Sequence, residues 1–208
     1  MMDSESLEAR IQGLSDRVWD ISTIGKRVRS LKSDGFPKKT LKREKLLERK
    51  EVILDRVQRR AEEYNFVTKN CAQGTALALM EEFGLGNMEV VKALTNFPGI
   101  GGTGEICGGI TGSLVAFGLF FGSEDPLDFE KNGPTMIIAQ KFMARFEAVL
   151  GSLHCANIQE LIFGRNMDPG RSQENMEAFA KAKGFEKCGL APGIGARLAA
   201  GFIIENTK

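Results

Sequence analysis

The chain has 208 residues, 42% of them hydrophobic and 26% charged, enough apolar material for one ordinary domain of ~100–200 residues with a buried core. Its formal charge of +1 gives no whole-chain attraction to nucleic acid or to an acidic membrane. The balance hides an asymmetry, because residues 1–70 carry 17 Lys+Arg against 12 Asp+Glu and the remainder is acidic.

The opening run MMDSESLEARIQGLSDR contains acidic residues and no apolar segment. It reads as neither a signal peptide nor a transit sequence, and a cytoplasmic location is expected. A heptad follows: Leu7, Leu14, Ile21 and Val28 recur every seven residues, with Ile11 and Val18 between them, the spacing of a helix that packs along one seam. The seam stops at KSDGFPKK, where Asp34-Gly35 and Pro37 supply turn chemistry. A second helix is expected from about Lys39, with Leu47, Leu54 and Ala61 seven apart and Ile53, Val57 and Tyr64 alongside. Residues 1–66 are therefore read as an antiparallel helical hairpin that serves packing or dimerisation, and residues 67–208 as the main helical domain. The basic run KKTLKREKLLERK has no interleaved aromatic residue, so it reads as a solvated face paired with Glu44, Glu48 and Glu51 rather than an RNA-binding arm.

Beyond it the chain divides into short helices punctuated by glycine. The pattern predicts Glu62–Phe83 stopping at Gly84, Met88–Asn96 stopping at Phe97-Pro98, and about Gly104–Phe121 after a glycine loop. Pro134 is expected to open a helix through Leu150, with Ile138, Phe142, Phe146 and Val149 on one face. Ser172 should cap a helix that Gly184 ends, and Pro192 should open the last one. No window alternates with period two, so the fold class is all-α: a multi-helix bundle preceded by the hairpin. The most apolar run, Ile106 to Gly122, holds five glycines and no basic flank, and reads as a core helix rather than a membrane span.

The loop FPGIGGTGEICGG contains G-x-G-x-x-G at Gly99, Gly101 and Gly104. A dinucleotide fingerprint needs a strand before it, and the preceding NMEVVKALTNF is helical in pattern, so no nucleotide is expected. Cys107 falls in the first turn of the following helix. Backbone N–H groups and the helix dipole there favour thiolate, so a depressed pKa is expected at Cys107; a buried, inert cysteine in tight helix packing is the alternative. The other cysteines are Cys71, Cys155 and Cys188, with no C-x-x-C and no C-x-x-C-H, which removes thioredoxin-like chemistry, a local zinc knuckle and covalent haem. Each lies in or beside a different predicted helix. Cys71 is placed on a helix face with Val67, Gly74 and Ala78.

In order, NCAQGTALALMEEFGL, GEICGGITGSLVAFGL, RFEAVLGSLHC and the final cysteine resemble the C_GCAxxG_C_C family of redox-active proteins over about residues 62–204. That family is similar to the non-haem part of split-Soret cytochromes. The resemblance implies that Cys71, Cys107, Cys155 and Cys188 ligate an iron–sulfur cluster, most simply 2Fe–2S, with Gly104, Gly108 and Gly112 framing the cofactor and Glu105 beside Cys107. Position 109 is glycine where relatives commonly carry a chiral residue.

The expected function is a cytoplasmic redox protein that uses this cluster for electron transfer or small-scale redox catalysis, together with a redox partner protein. Two alternatives stand beside it: a cofactor-free thiol–disulfide protein with Cys107 as the reactive thiolate, and a helical interaction module with inert cysteines. Glu105 reads as a helix cap ahead of a proton relay, and His154, the only histidine, as structural; a Rieske arrangement needs two. The heptad seam and the small-residue faces Gly112–Gly118 and Ala196–Ala200 suggest a homodimer.

Overall fold

The structure is a computed structural model that describes residues 4–39 and 41–207; Met1 to Asp3, the head of the run read for a leader, lie outside them. Two helices, α1 (Ser4–Asp16) and α2 (Ile21–Asp34), replace the single heptad helix. At the break the Asp20 carboxylate accepts from Thr23 N at 3.0 Å and caps α2. A repeat counted through a break does not stay on one face. Leu7, Leu14, Ile24 and Leu31 are buried, whereas Val18 is 94% exposed and Ile21 faces solvent.

After α3 (Arg43–Glu48) and α4 (Lys50–Thr68), the expected helix from Glu62 to Phe83 is interrupted. Lys69 takes the left-handed conformation (φ 56°), and the Asn70 side chain accepts from Gln73 N at 2.9 Å to start α5 (Cys71–Phe83) afresh. Cys71 is thus the first residue of a helix and not a member of a continuous face with Val67. The chain continues through α6 (Met88–Ala93), a 3-10 turn (Leu94–Asn96), the distorted turn α7 (Gly99–Gly102) and α8 (Gly108–Phe121).

Helix α9 (Phe129–Leu150) starts earlier than Pro134, capped by Asp128 on Lys131 N at 3.0 Å. Pro134 sits in its second turn, where the missing N–H leaves the Glu130 carbonyl without its intrahelical donor. Next come α10 (Cys155–Phe163) and α11 (Gln173–Lys181), the latter capped by Ser172 as expected. Gly184 does not end α11: Lys183, at φ 56°, turns the chain, and Gly184 opens α12 (Gly184–Lys187). The last helix is α13 (Leu190–Asn206), with Pro192 in its first turn. Among the described residues there is no strand, so the all-α class holds.

Helix α4 packs along α5 and α13, and α8 lies against the same two. The approach of α8 to α13 depends on glycine: a β-carbon at Gly109 would stand 2.7 Å from Ala191 O, and one at Gly195 would stand 2.5 Å from Gly109 O. The small-residue faces read as a dimer surface are therefore largely occupied within the chain, while Gly118 stays exposed. Gly112, Ala196 and Ala200 are buried, and Gly112 rests on the Ala72 carbonyl. The segment Gly184–Asn206 is long and apolar enough to cross a membrane, and about two thirds of its most apolar stretch (67%) is buried inside the fold.

The N-terminal helices are fastened to this core at the α1–α2 break. Lys183 donates to the Ser15 carbonyl (2.9 Å), Arg17 pairs with the buried Glu62 (2.7 Å), and Trp19 stacks on Phe66 at 4.5 Å. Among the described residues the basic run makes no ion pair with Glu44, Glu48 or Glu51. Lys39 reaches Glu82 (3.8 Å) and Lys50 reaches Glu205 (2.6 Å), because the tertiary fold sets those partners nearer.

Candidate functional site

All four cysteines stand at helix ends. Cys71 is the first residue of α5, Cys107 the N-cap of α8, Cys155 the first residue of α10, and Cys188 the residue closing α12, two before α13. Helix starts carry unpaired N–H groups and the positive end of the helix dipole, which suits sulfur anions. Two of these ends are clipped together by backbone hydrogen bonds. Cys107 N donates to Leu153 O (3.0 Å), Cys155 N to Glu105 O (2.7 Å) and Ala156 N to Gly104 O (3.0 Å), around an antiparallel bridge between Ile106 and His154. Gly108 sets a third end against these, because a β-carbon there would collide with Cys71 Sγ and stand 2.6 Å from Ala72 N.

The sulfurs form one electrostatic group in which every pairing of the four opposes a second charge. Cys107 donates its S–H to Cys71, and the backbone N–H groups of Gly108, Cys71 and Ala72 add to it, so Cys71 lies below the usual thiol value. The same bond, with burial and the neighbouring sulfurs, pushes Cys107 well up. The depressed pKa expected at Cys107 therefore belongs to Cys71, because Cys107 spends its proton on its neighbour. Burial and the Cys71 charge push Cys155 up to about 12, although Gln159 Nε2 lies 3.7 Å from its sulfur. Burial, then Cys155 and Cys71, push Cys188 well up.

Cys71, Cys155 and Cys188 line a cavity of about 100 Å³, mostly apolar, with Gly99, Phe179 and Phe185 on its walls. Cys107 is 3% exposed and lies outside that lining. The Lys69 ammonium, also at the cavity, sits 4.0 Å from the Phe66 ring centre and 4.4 Å from that of Phe185. Four thiols are the donor set a 2Fe–2S cluster requires, and the cavity has room for several water-sized groups. Donor chemistry and space fit such a group. Among the described residues, no three His, Cys, Asp or Glu side chains already stand in metal-holding arrangement.

Of the three glycines placed around the cofactor, only Gly108 abuts a cysteine sulfur. Gly104 (φ 85°) shapes the clip beside Ala156, and Gly112 serves helix packing. Glu105 does not cap α8, since Cys107 holds that position; its exposed carboxylate meets His154 Nδ1 at 3.3 Å. Sequence reasoning missed Gly99, whose β-carbon would lie 3.6 Å from Cys155 Sγ. It also missed Gln159, held by Met167 N at 2.8 Å, and the buried Asp168, which opposes charge on Cys155 and Cys188. The Asn70 cap was readable as an N-cap residue directly before Cys71; Gln159 and Asp168 carried no local signal.

Fold and site together define a helical protein that gathers four thiols from four helix ends, three of them lining one small cavity and the fourth, Cys107, buried beside Cys71. The chain belongs to the C_GCAxxG_C_C family: the family model described as "Putative redox-active protein (C_GCAxxG_C_C)" matches residues 69–200 and so spans all four cysteines. No curated protein and no solved structure matches the chain.

Proposed function

We propose that the four cysteines hold an iron–sulfur cluster, most simply 2Fe–2S, and that the protein exchanges electrons with a redox partner protein in the cytoplasm. The observation that carries this reading is the mutual electrostatic opposition of the four sulfurs. Elements separated by 36, 48 and 33 positions bring them together, and a metal's positive charge would offset that opposition. When bound, the cluster supplies one-electron chemistry. The chain's own part is to release protons from Cys107, Cys155 and Cys188, to draw the sulfurs toward a common centre, and to exclude water with Phe179 and Phe185. The N–H groups around Cys71 would raise the potential by stabilising charge on sulfur. Iron and acid-labile sulfide, measured with the visible spectrum on protein purified without oxygen, test it. Stoichiometric iron that is lost in Cys188→Ser supports the reading, and iron-free protein with no visible band rejects it.

A second reading is favoured by one observation, the hydrogen bond from Cys107 to Cys71. In it Cys71 thiolate, rather than Cys107, attacks a disulfide substrate and displaces one substrate thiolate. Cys107 then attacks the mixed disulfide, giving its proton to the second leaving thiolate, so that the substrate is reduced and a Cys71–Cys107 disulfide forms. Iron-free protein that loses two of its four thiols on oxidation, while Cys71→Ser keeps all three of its remaining thiols, is the result that selects it.

A further inference from the structure

Helix α9 is apolar on both sides. Its inner face buries Phe142, Phe146 and Leu150 in the core. On the outer face Phe129 is 77% exposed, Met136 67% and Ile137 54%, and Gly133, Gln140 and Ala144 are exposed with them. A helix packed on one side is ordinarily charged on the other, and this outer stripe carries no charge from Phe129 to Ala144.

The stripe is symmetric in sequence about the point between Met136 and Ile137. An antiparallel second copy centred there sets Phe129 against Ala144, Gly133 against Gln140 and Met136 against Ile137, large residues meeting smaller ones in all but the central pair. Self-complementarity of this kind is what a two-fold interface demands, since each contact must occur twice. Charge follows the same centre. Glu130 and Lys141 lie on one flank of the stripe, and the two-fold brings Glu130 to within two residues, about 3 Å along the axis, of Lys141 in the second copy. Both are exposed, and among the described residues neither makes an ion pair within its own chain.

We propose that the outer face of α9 is the interface of a two-fold homodimer, in which Met136 and Ile137 pack at the axis and Glu130 pairs reciprocally with Lys141. The occupant is a second copy of this chain, on a face different from the heptad seam and from the small-residue faces that the fold has largely buried. Dimerisation here leaves the cysteine cavity's lining residues uninvolved, so it stands independently of the cofactor reading.

Light scattering after size exclusion, on the full chain at submillimolar concentration, tests it, with far-UV circular dichroism to confirm helix content. The full chain is expected to be a dimer, and Ile137→Glu a folded monomer. Glu130→Lys should weaken the dimer about tenfold, and adding Lys141→Glu to it should restore the affinity, a recovery that loss of folding cannot imitate. A monomeric full chain overturns the proposal, as does a dimer that Ile137→Glu and Glu130→Lys leave unchanged. A monomer that co-sediments with anionic vesicles through this face overturns it in favour of a membrane surface.

Discussion

The thiol of Cys107 donates to the sulfur of Cys71, so Cys71 is drawn below the ordinary thiol value while Cys107 is pushed well above it. The two belong to the starts of α8 and α5, and the glycine at 108 is what lets those starts meet. In reduced, metal-free protein, Cys71 is expected to be the first cysteine alkylated by iodoacetamide, with a pH midpoint below that of an ordinary thiol. Cys107→Ala should move that midpoint upward by removing the donor. Peptide mapping of the first modified residue reads the result; prior modification of Cys107 would contradict the assignment.

Gly108→Ala should disturb the site and the fold together. Its β-carbon would meet Cys71 Sγ and Ala72 N, an overpacking that costs about 1–3 kcal/mol, or a fall in Tm of about 2–4 °C per kcal/mol at this chain length. Iron content should fall with it. Gly13→Ala is the control: nothing lies within 4 Å of a β-carbon on that exposed turn of α1, so stability should rise by about 0.5–1 kcal/mol. Thermal melts of the two variants, side by side, decide whether position 108 is special.

Alkali should destabilise the metal-free protein through its cysteines. Cys155 is raised from 9.0 to about 12, so the folded chain keeps a thiol where the unfolded chain has already ionised. The stabilisation is complete below pH 9 and is lost as pH rises toward 12, and the upward shifts of Cys107 and Cys188 act in the same direction. Denaturant midpoints under reducing conditions should fall across that window, and less steeply in Cys155→Ala. A flat profile would show that the thiols ionise alike in both states.

His154→Gln and Glu105→Gln should leave iron content and the visible spectrum unchanged. The His154–Glu105 pair is exposed on both sides, and such pairs contribute about 0–1 kcal/mol. What aligns the cysteines is the backbone clip around them, which these substitutions leave in place. Loss of iron in His154→Gln would make the histidine a ligand and replace the four-cysteine set.

Where local chemistry carried a message, it was legible. Ser172 as a cap, Gly84 as a helix end in the left-handed conformation, Leu150 as the last residue of its helix, and Pro192 in a first turn are all decisions of one or two residues against their own backbone. The heptad misled because periodicity does not register a break: Asp20 restarts the helix, so Val18 and Ile21 face solvent and Ile24 and Leu31 take the buried positions, with Val28 only partly buried beside them. Cys71 was misplaced for a similar reason, as Asn70 competes with the helix ladder and wins.

The sequence by itself determined the helical class, the Ser172 cap, several helix ends and the identity of the four cysteines, because propensity, turn chemistry and motif order are written in neighbouring residues. Only the tertiary structure decided which sulfur has its pKa lowered. That choice depends on Cys107 lying beside Cys71 across 36 positions and on N–H groups from two helix starts converging on one atom. Electrostatics and hydrogen bonding act through distance in space, and the spacing of cysteines along a chain does not encode it.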